Sequence, residues 1–182
     1  MGTDNVEEKK KFFEVLPMAE ENEESIAEFL KKLSRPEVFV IEQRKDSFLG
    51  KLFRLVARED VFLSKKEKRI YSKLVTDSFL NADEVLCRKI KDEKKGLEYE
   101  AIWVPESLKH EVLVAYHTSV YSAHPGELAT QEAIKKRYFW IGIKRDVLQF
   151  VKACNLCAKY KYVTAKPTDY MDTSLVSEPI CT

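Results

Sequence analysis

Histidine and cysteine are scarce in this chain, and the spacing of four of them restricts how it can fold. The sequence has three histidines and four cysteines in 182 residues. His117 and His124 are separated by six residues, and after 29 further residues the chain reads Cys154-Asn155-Leu156-Cys157. Two imidazoles and two thiolates make a closed tetrahedral ligand set for zinc, and two thiolates cancel the charge of the ion. The spacing therefore predicts one structural zinc ion held by His117, His124, Cys154 and Cys157.

Other interpretations of these four residues fit less well. A redox-active Cys-x-x-Cys pair would follow a thioredoxin-like strand, whereas an amphipathic helical pattern precedes Cys154. A small zinc finger would place its histidines after its cysteines, with about 12–15 residues between the pairs. The remaining alternative is a surface histidine, a capping histidine and two buried cysteines without a metal.

The other histidine and the other two cysteines stay outside the predicted site. His110 lies seven residues before His117, on nearly the same helical face. It is therefore either a neighbour of the ligands or an exposed side chain. Cys87 falls in an alternating pattern typical of a strand and is expected to pack in the core, and Cys181 lies near the C-terminus.

Length and composition indicate an ordinary globular chain, of one moderate domain or two small ones. No apolar run approaches the roughly 18–20 residues of a membrane span, and the N-terminus lacks the apolar segment of a secretory signal. Four cysteines are too few for a disulfide scaffold. We therefore expect an intracellular protein with no membrane partner and no small-molecule substrate.

The net charge of +1 conceals a strong asymmetry along the chain. Residues 1–34 have five basic and nine acidic residues, and residues 167–182 have three acidic residues and no basic one. Residues 107–166 have ten basic and four acidic residues. The positive surplus is thus concentrated around the histidines and cysteines, which favours an anionic partner for that segment.

Hydrophobic periodicity predicts a mainly α fold with a small β-hairpin (α+β). Apolar residues three and four apart predict amphipathic helices before residue 80, with a capping box from Ser64 to Glu67 and a helix cap at Asp46. Alternation on both sides of Gly96 predicts the hairpin. We expect a frayed N-terminus, a helical connector, a β-hairpin extension, a zinc-binding helical domain and a flexible tail at residues 1–18, 19–80, 81–104, 105–162 and 163–182.

The histidine–cysteine segment resembles a known family. The motif residues are His117-x6-His124-Pro125-Gly126, Thr130, Arg137-Tyr138-Phe139-Trp140, Val147 to Val151 and Cys154-x2-Cys157-x-Lys159. Together they resemble the His-His-Cys-Cys domain of gypsy-type LTR retrotransposon integrases and, more distantly, the N-terminal domain of retroviral integrases. The resemblance covers about residues 105–162, with Ile141 where the family usually has proline after the tryptophan. Residues 41–49 are also similar to the connector after RNase H in such polyproteins, and residues 83–104 to the extension before the zinc domain.

The resemblance implies a zinc-stapled three-helix bundle that helps to assemble multimers and contacts the DNA ends of the element, in the nucleus. Catalysis in the family belongs to a separate core with an Asp-Asp-Glu triad that binds two metal ions. Only 25 residues follow Cys157, which is too few for such a core, so we expect no enzymatic activity in this chain. The alternative is a domesticated, retrotransposon-derived host protein that uses the zinc module for protein–protein interaction.

Basic side chains near the ligands are candidates for DNA contacts. Lys159 and Lys161 alternate with tyrosines just beyond Cys157, an arrangement that suits a nucleic-acid backbone. A solvated surface would give the same pattern. Phe139 and Trp140 are expected in the core, where they would not stack on bases. The nucleic-acid-binding candidates are Lys135, Lys136, Arg137, Lys144, Arg145, Lys159 and Lys161.

Overall fold

The computed structural model describes residues 23–92, 96–119 and 122–160. The predicted frayed N-terminus and the predicted tail lie outside these ranges. The described residues form eight α-helices, a short 3₁₀ turn and four strands, which confirms the mainly α, α+β class. None of the helices in these ranges is long and apolar enough to cross a membrane. The helices are α1 (Glu23–Leu33), α2 (Pro36–Lys45), α3 (Leu49–Val56), α4 (Lys65–Asp77), α5 (Lys109–His117), α6 (Glu127–Lys135), α7 (Ile143–Ala153) and α8 (Asn155–Tyr160), and the strands are β1 (Ser78–Leu80), β2 (Leu86–Asp92), β3 (Leu97–Trp103) and β4 (Tyr138–Phe139).

Local capping explains where two of the N-terminal helices begin. At the start of α4, the Ser64 hydroxyl accepts a hydrogen bond from the Glu67 amide, and the Glu67 carboxylate accepts one from the Ser64 amide. This is the predicted capping box. Between α2 and α3, Asp46 Oδ1 accepts hydrogen bonds from the amides of Phe48 and Leu49, at 2.8 Å each. The Asp46 carboxylate therefore satisfies amides that the new helix leaves unpaired.

The sheet is larger than the predicted hairpin. Strands β2 and β3 form the expected antiparallel hairpin, with Cys87 opposite Ile102. Strand β1 pairs antiparallel with β2, because α4 ends at Asp77 and the chain continues in extended conformation from Ser78. Strand β4 pairs in parallel with β3 through two residues of the histidine–cysteine segment. The sheet thus links that segment directly to the upstream hairpin.

A fully buried glutamine fixes α2 against the open end of the hairpin. The Gln43 side-chain nitrogen donates to the carbonyl oxygens of Trp103 (2.6 Å) and Leu86 (3.1 Å). The Gln43 side-chain oxygen accepts from the Leu86 amide at 2.8 Å. One fully buried side chain therefore satisfies three backbone groups of β2 and β3, at a place where an unpaired polar group is costly.

The hydrophobic core is shared between the upstream helices and the histidine–cysteine segment. One buried cluster joins Ile26 of α1 and Phe39 of α2 to Val112 of α5, Ile134 of α6 and Val147 of α7. A second cluster, on the other side of the hairpin, includes Leu52, Tyr71 and Trp103. Lys32 of α1 and Glu111 of α5 also form an ion pair of 2.7 Å, which links these two helices. Helix α5 consequently packs against α1, and α5, α6 and α7 pack against one another.

We predict that Gln43→Met destabilises the protein by about 2–4 kcal/mol, because a thioether of similar size leaves three buried backbone groups without a partner. Gln131→Met is the matched control. Gln131 is also buried, but its amide nitrogen has no hydrogen-bond partner among the described residues. That change should cost little or be stabilising. Chemical denaturation measures both, and equal effects of the two variants would contradict the role given to Gln43.

Candidate metal centre

The four predicted ligands come from two turns that the fold brings together. His117 is the last residue of α5 and is fully buried, and His124 lies in the loop that follows. Cys154 is the C-terminal cap of α7, with extended backbone, and Cys157 lies in the first turn of α8. The extended conformation at Cys154 ends α7 and begins α8, so the region has a short fourth helix beyond the predicted three. This break presents both thiols to one point.

The donor atoms form one compact group. The imidazole nitrogens of His117 and His124 and the sulfurs of Cys154 and Cys157 all lie within 4.8 Å of one another. Cys154 Sγ is 3.4 Å from His124 Nδ1, and Cys157 Sγ is 3.4 Å from His117 Nε2 and 4.0 Å from His124 Nδ1. A tetrahedral zinc ion with bonds of about 2.0–2.3 Å sets its nitrogen and sulfur ligands about 3.6 Å apart. The arrangement therefore fits one zinc ion.

The His117 ring is oriented by groups around it. Its Nδ1 faces the carbonyl oxygen of Pro125 at 3.1 Å, and because a carbonyl can only accept, Nδ1 carries the proton. The Thr130 hydroxyl donates to the same carbonyl, and the Phe150 ring packs at right angles to the imidazole. These contacts leave Nε2 directed at the thiols, which is how proteins commonly orient a metal-binding histidine. Burial lowers the pKa of His117, as does the nearby His124, which favours the neutral imidazole that binds metal.

The backbone turns sharply just before the second histidine ligand. Ala123 and His124 have φ values of 52° and 51°, in the left-handed region that residues other than glycine rarely adopt. The turn allows the His124 amide to donate to the His117 carbonyl at 3.1 Å, so the two ligands are also joined through the backbone. Pro125-Gly126 signals a turn here, but the sequence does not signal the left-handed conformation of Ala123, where a glycine would be expected.

A buried aspartate secures the start of α7. Asp146 accepts a hydrogen bond of 2.9 Å from the indole of Trp140, and its carboxylate also contacts Arg145 and Lys109. Trp140 is buried as predicted, and Phe139 is half-buried with its ring edge-on to Trp103. The polar contacts of Trp140 and Asp146 were not apparent from the sequence pattern, because they depend on which face of α7 is turned inward.

The remaining histidine and cysteines take other positions. The His110 ring packs edge-on against Phe150, with centroids 5.9 Å apart, and His110 is not part of the four-residue group. Cys87 is buried in β2, where burial raises its pKa to about 11 and keeps it as an unreactive thiol. Cys181 lies outside the described residues.

The described basic candidates lie on α6, on the segment between α6 and β4, on α7 and on α8. Lys135 ends α6 and is half-buried, while Lys136 and Arg137 are exposed before β4. Lys144 and Arg145 are exposed on the first turn of α7, and Lys159 is exposed on α8. Lys161 lies outside the described residues.

A family model described as integrase zinc binding domain matches residues 104–163. The matched segment contains all four ligands, and their arrangement fits one structural zinc. Comparison with curated proteins found no match, and comparison with solved structures found none either. Four protein ligands complete a tetrahedral shell and leave no position for a reactive water, so the zinc in this domain is structural and not catalytic.

We predict that His117→Ala and Cys157→Ser each abolish stoichiometric zinc binding and lower the midpoint of thermal unfolding, because either change opens the ligand shell. His110→Ala should retain one zinc ion per chain. Metal analysis of purified protein together with thermal melts measures both. Retention of one tightly bound zinc by the two ligand variants would contradict the assignment.

We predict that Ala123→Gly leaves stability unchanged or raises it by up to about 1 kcal/mol, because glycine adopts the left-handed conformation without strain. Ala133→Gly, in the interior of α6, should instead cost about 0.5–1 kcal/mol. Denaturation of the zinc-loaded proteins gives the comparison. A loss at residue 123 as large as that at residue 133 would show that the turn is not strained.

Proposed function

We propose that this chain is the non-catalytic N-terminal part of a retrotransposon-type integrase of the gypsy type, acting in the nucleus. In this role the zinc module binds the DNA ends of the element and supports multimerisation, and strand transfer would require an Asp-Asp-Glu core. The observation that carries the proposal is the integrase zinc binding domain itself, with its four ligands gathered at one point.

The electrostatics of the module support a DNA partner. Residues 107–166 contain ten basic and four acidic residues. Two of those acidic residues, Glu111 and Asp146, are buried. Glu111 pairs with Lys32, and Asp146 accepts a hydrogen bond from Trp140. Because Asp146 also pairs with Arg145 and Lys109 of the same segment, the module keeps about the positive surplus that the count gives. Such a surface attracts phosphates and gives binding that weakens steeply with salt.

Exposed apolar side chains on the module support self-association. Leu128 on α6 is 71% exposed and Tyr160 on α8 is 67% exposed, and Ile141 and Leu156 are also largely exposed. Apolar side chains at the surface are commonly covered in an oligomer. We propose that a homo-oligomer buries part of this set.

We predict that replacing Lys136, Arg137 and Lys144 together with glutamine weakens binding of the full chain to duplex DNA. The slope of log affinity against log salt should fall by about two to three, since each phosphate contact contributes about 0.9. The matched control replaces three exposed basic residues elsewhere, Arg35, Arg54 and Lys89, and should change the slope little. Fluorescence anisotropy at four salt concentrations supplies the measurement.

Equal effects of the two triple variants would assign binding to general positive charge and contradict the proposal. Absence of duplex binding at low salt would contradict it as well. That result would favour the domesticated host protein, with the zinc module serving protein–protein contact.

A further inference from the structure

The exposed face of α4 is a concentrated patch of positive charge that the zinc module does not include. Five basic residues occur within nine positions of this helix, and all five are exposed; they are Lys65, Lys66, Lys68, Arg69 and Lys73. Among the described residues, none of the five takes part in an ion pair. We call this set the α4 basic face.

The acidic residues of α4 do not neutralise that face. The Glu67 carboxylate accepts the hydrogen bond from the Ser64 amide in the capping box, and it also pairs with Lys51 of α3 at 2.6 Å. The pairing with Lys51, together with the hydrogen bonds from Ser64, lowers the pKa of Glu67 to about 2. Asp77, at the other end of the helix, pairs with Arg88 of β2. Both carboxylates are thus committed to neighbouring elements, and the outward side of the helix stays positive.

Folding alone does not account for this arrangement. Lys65 and Arg69, and Arg69 and Lys73, are four residues apart on one helix face, where like charges repel. Four of the five cations also lie in the first five residues of the helix, next to the positive end of the helix dipole. Helix α1, by comparison, carries its two lysines in its last turn, next to the negative end of its dipole. An anionic ligand would relieve the repulsion on α4.

An exposed aromatic side chain lies just before the α4 basic face in the sequence. Phe62, three residues before α4, is 96% exposed, and Ile70, on α4 itself, is 44% exposed. The opposite face of α4 cannot serve a lipid surface, because Tyr71, Leu74 and Val75 pack in the second core cluster. A single exposed aromatic ring next to a row of cations instead suits a nucleic-acid strand whose unpaired bases are free to stack.

We propose that the α4 basic face, together with Phe62, binds single-stranded nucleic acid. The cations contact the phosphates, and the Phe62 ring stacks on a base. This surface lies outside residues 104–163 and does not depend on DNA binding by the zinc module.

The test measures binding of the zinc-loaded full chain to a twenty-residue oligothymidine and to a duplex of the same length. Replacing all five cations of the α4 basic face with glutamine, a good helix former, should weaken oligothymidine binding at least tenfold at moderate salt. The control is the triple variant of Arg35, Arg54 and Lys89, which lie outside both basic surfaces and should leave oligothymidine binding within about twofold. Circular dichroism establishes that both variants keep the helicity of the parent chain.

Phe62→Ala separates stacking from charge. Because Phe62 is almost fully exposed, its removal should leave stability unchanged while weakening oligothymidine binding about fivefold or more, and duplex binding by less than twofold. Unchanged oligothymidine binding by either the five-residue variant or Phe62→Ala overturns the proposal. The proposal is also overturned if replacing the same residues weakens binding to phosphatidylserine vesicles more than it weakens binding to oligothymidine. That result would favour a membrane surface.

Discussion

Four side chains meeting at one point are the constraint on which the second half of this molecule depends. His117 ends α5 and His124 lies in the turn that follows. Cys154 lies at the break between α7 and α8, and Cys157 lies in the first turn of α8. A zinc ion held by all four joins segments about thirty residues apart in sequence. For a segment of this size, with a thin core of its own, metal binding is expected to supply much of the folding free energy.

The metal is not the only support of that segment. Strand β4 adds to the edge of β3, Glu111 pairs with Lys32, and the side chains of α5, α6 and α7 share a core with α1 and α2. The Gln43 hydrogen bonds hold α2 to the same hairpin. Contacts between the upstream helices and the zinc-binding segment therefore contribute to the stability of both. A substitution on either side of this boundary is expected to lower the stability of the other side as well.

The parts that sequence could predict are those with local or chemically specific signals. The ligand set followed from the rarity and spacing of histidine and cysteine, and the starts of α3 and α4 followed from Asp46, Ser64 and Glu67. Strand β4 and the docking of α1 could not be predicted, because they arise from contacts between segments far apart in the chain. The strained turn at Ala123 was missed for a similar reason, since the surrounding contacts impose a conformation that alanine does not favour.

The short outer strands β1 and β4 leave part of the edges of the hairpin uncovered. Strands β1 and β4 cover only the base of the hairpin, so the outer half of β2 and β3 has two edges without a described strand beside them. Those edges carry Lys89 and Lys91 on one strand and Glu98 and Glu100 on the other. Charged side chains on an open edge discourage pairing with a strand from another molecule. The outer half of the two strands is thereby protected against edge-to-edge aggregation.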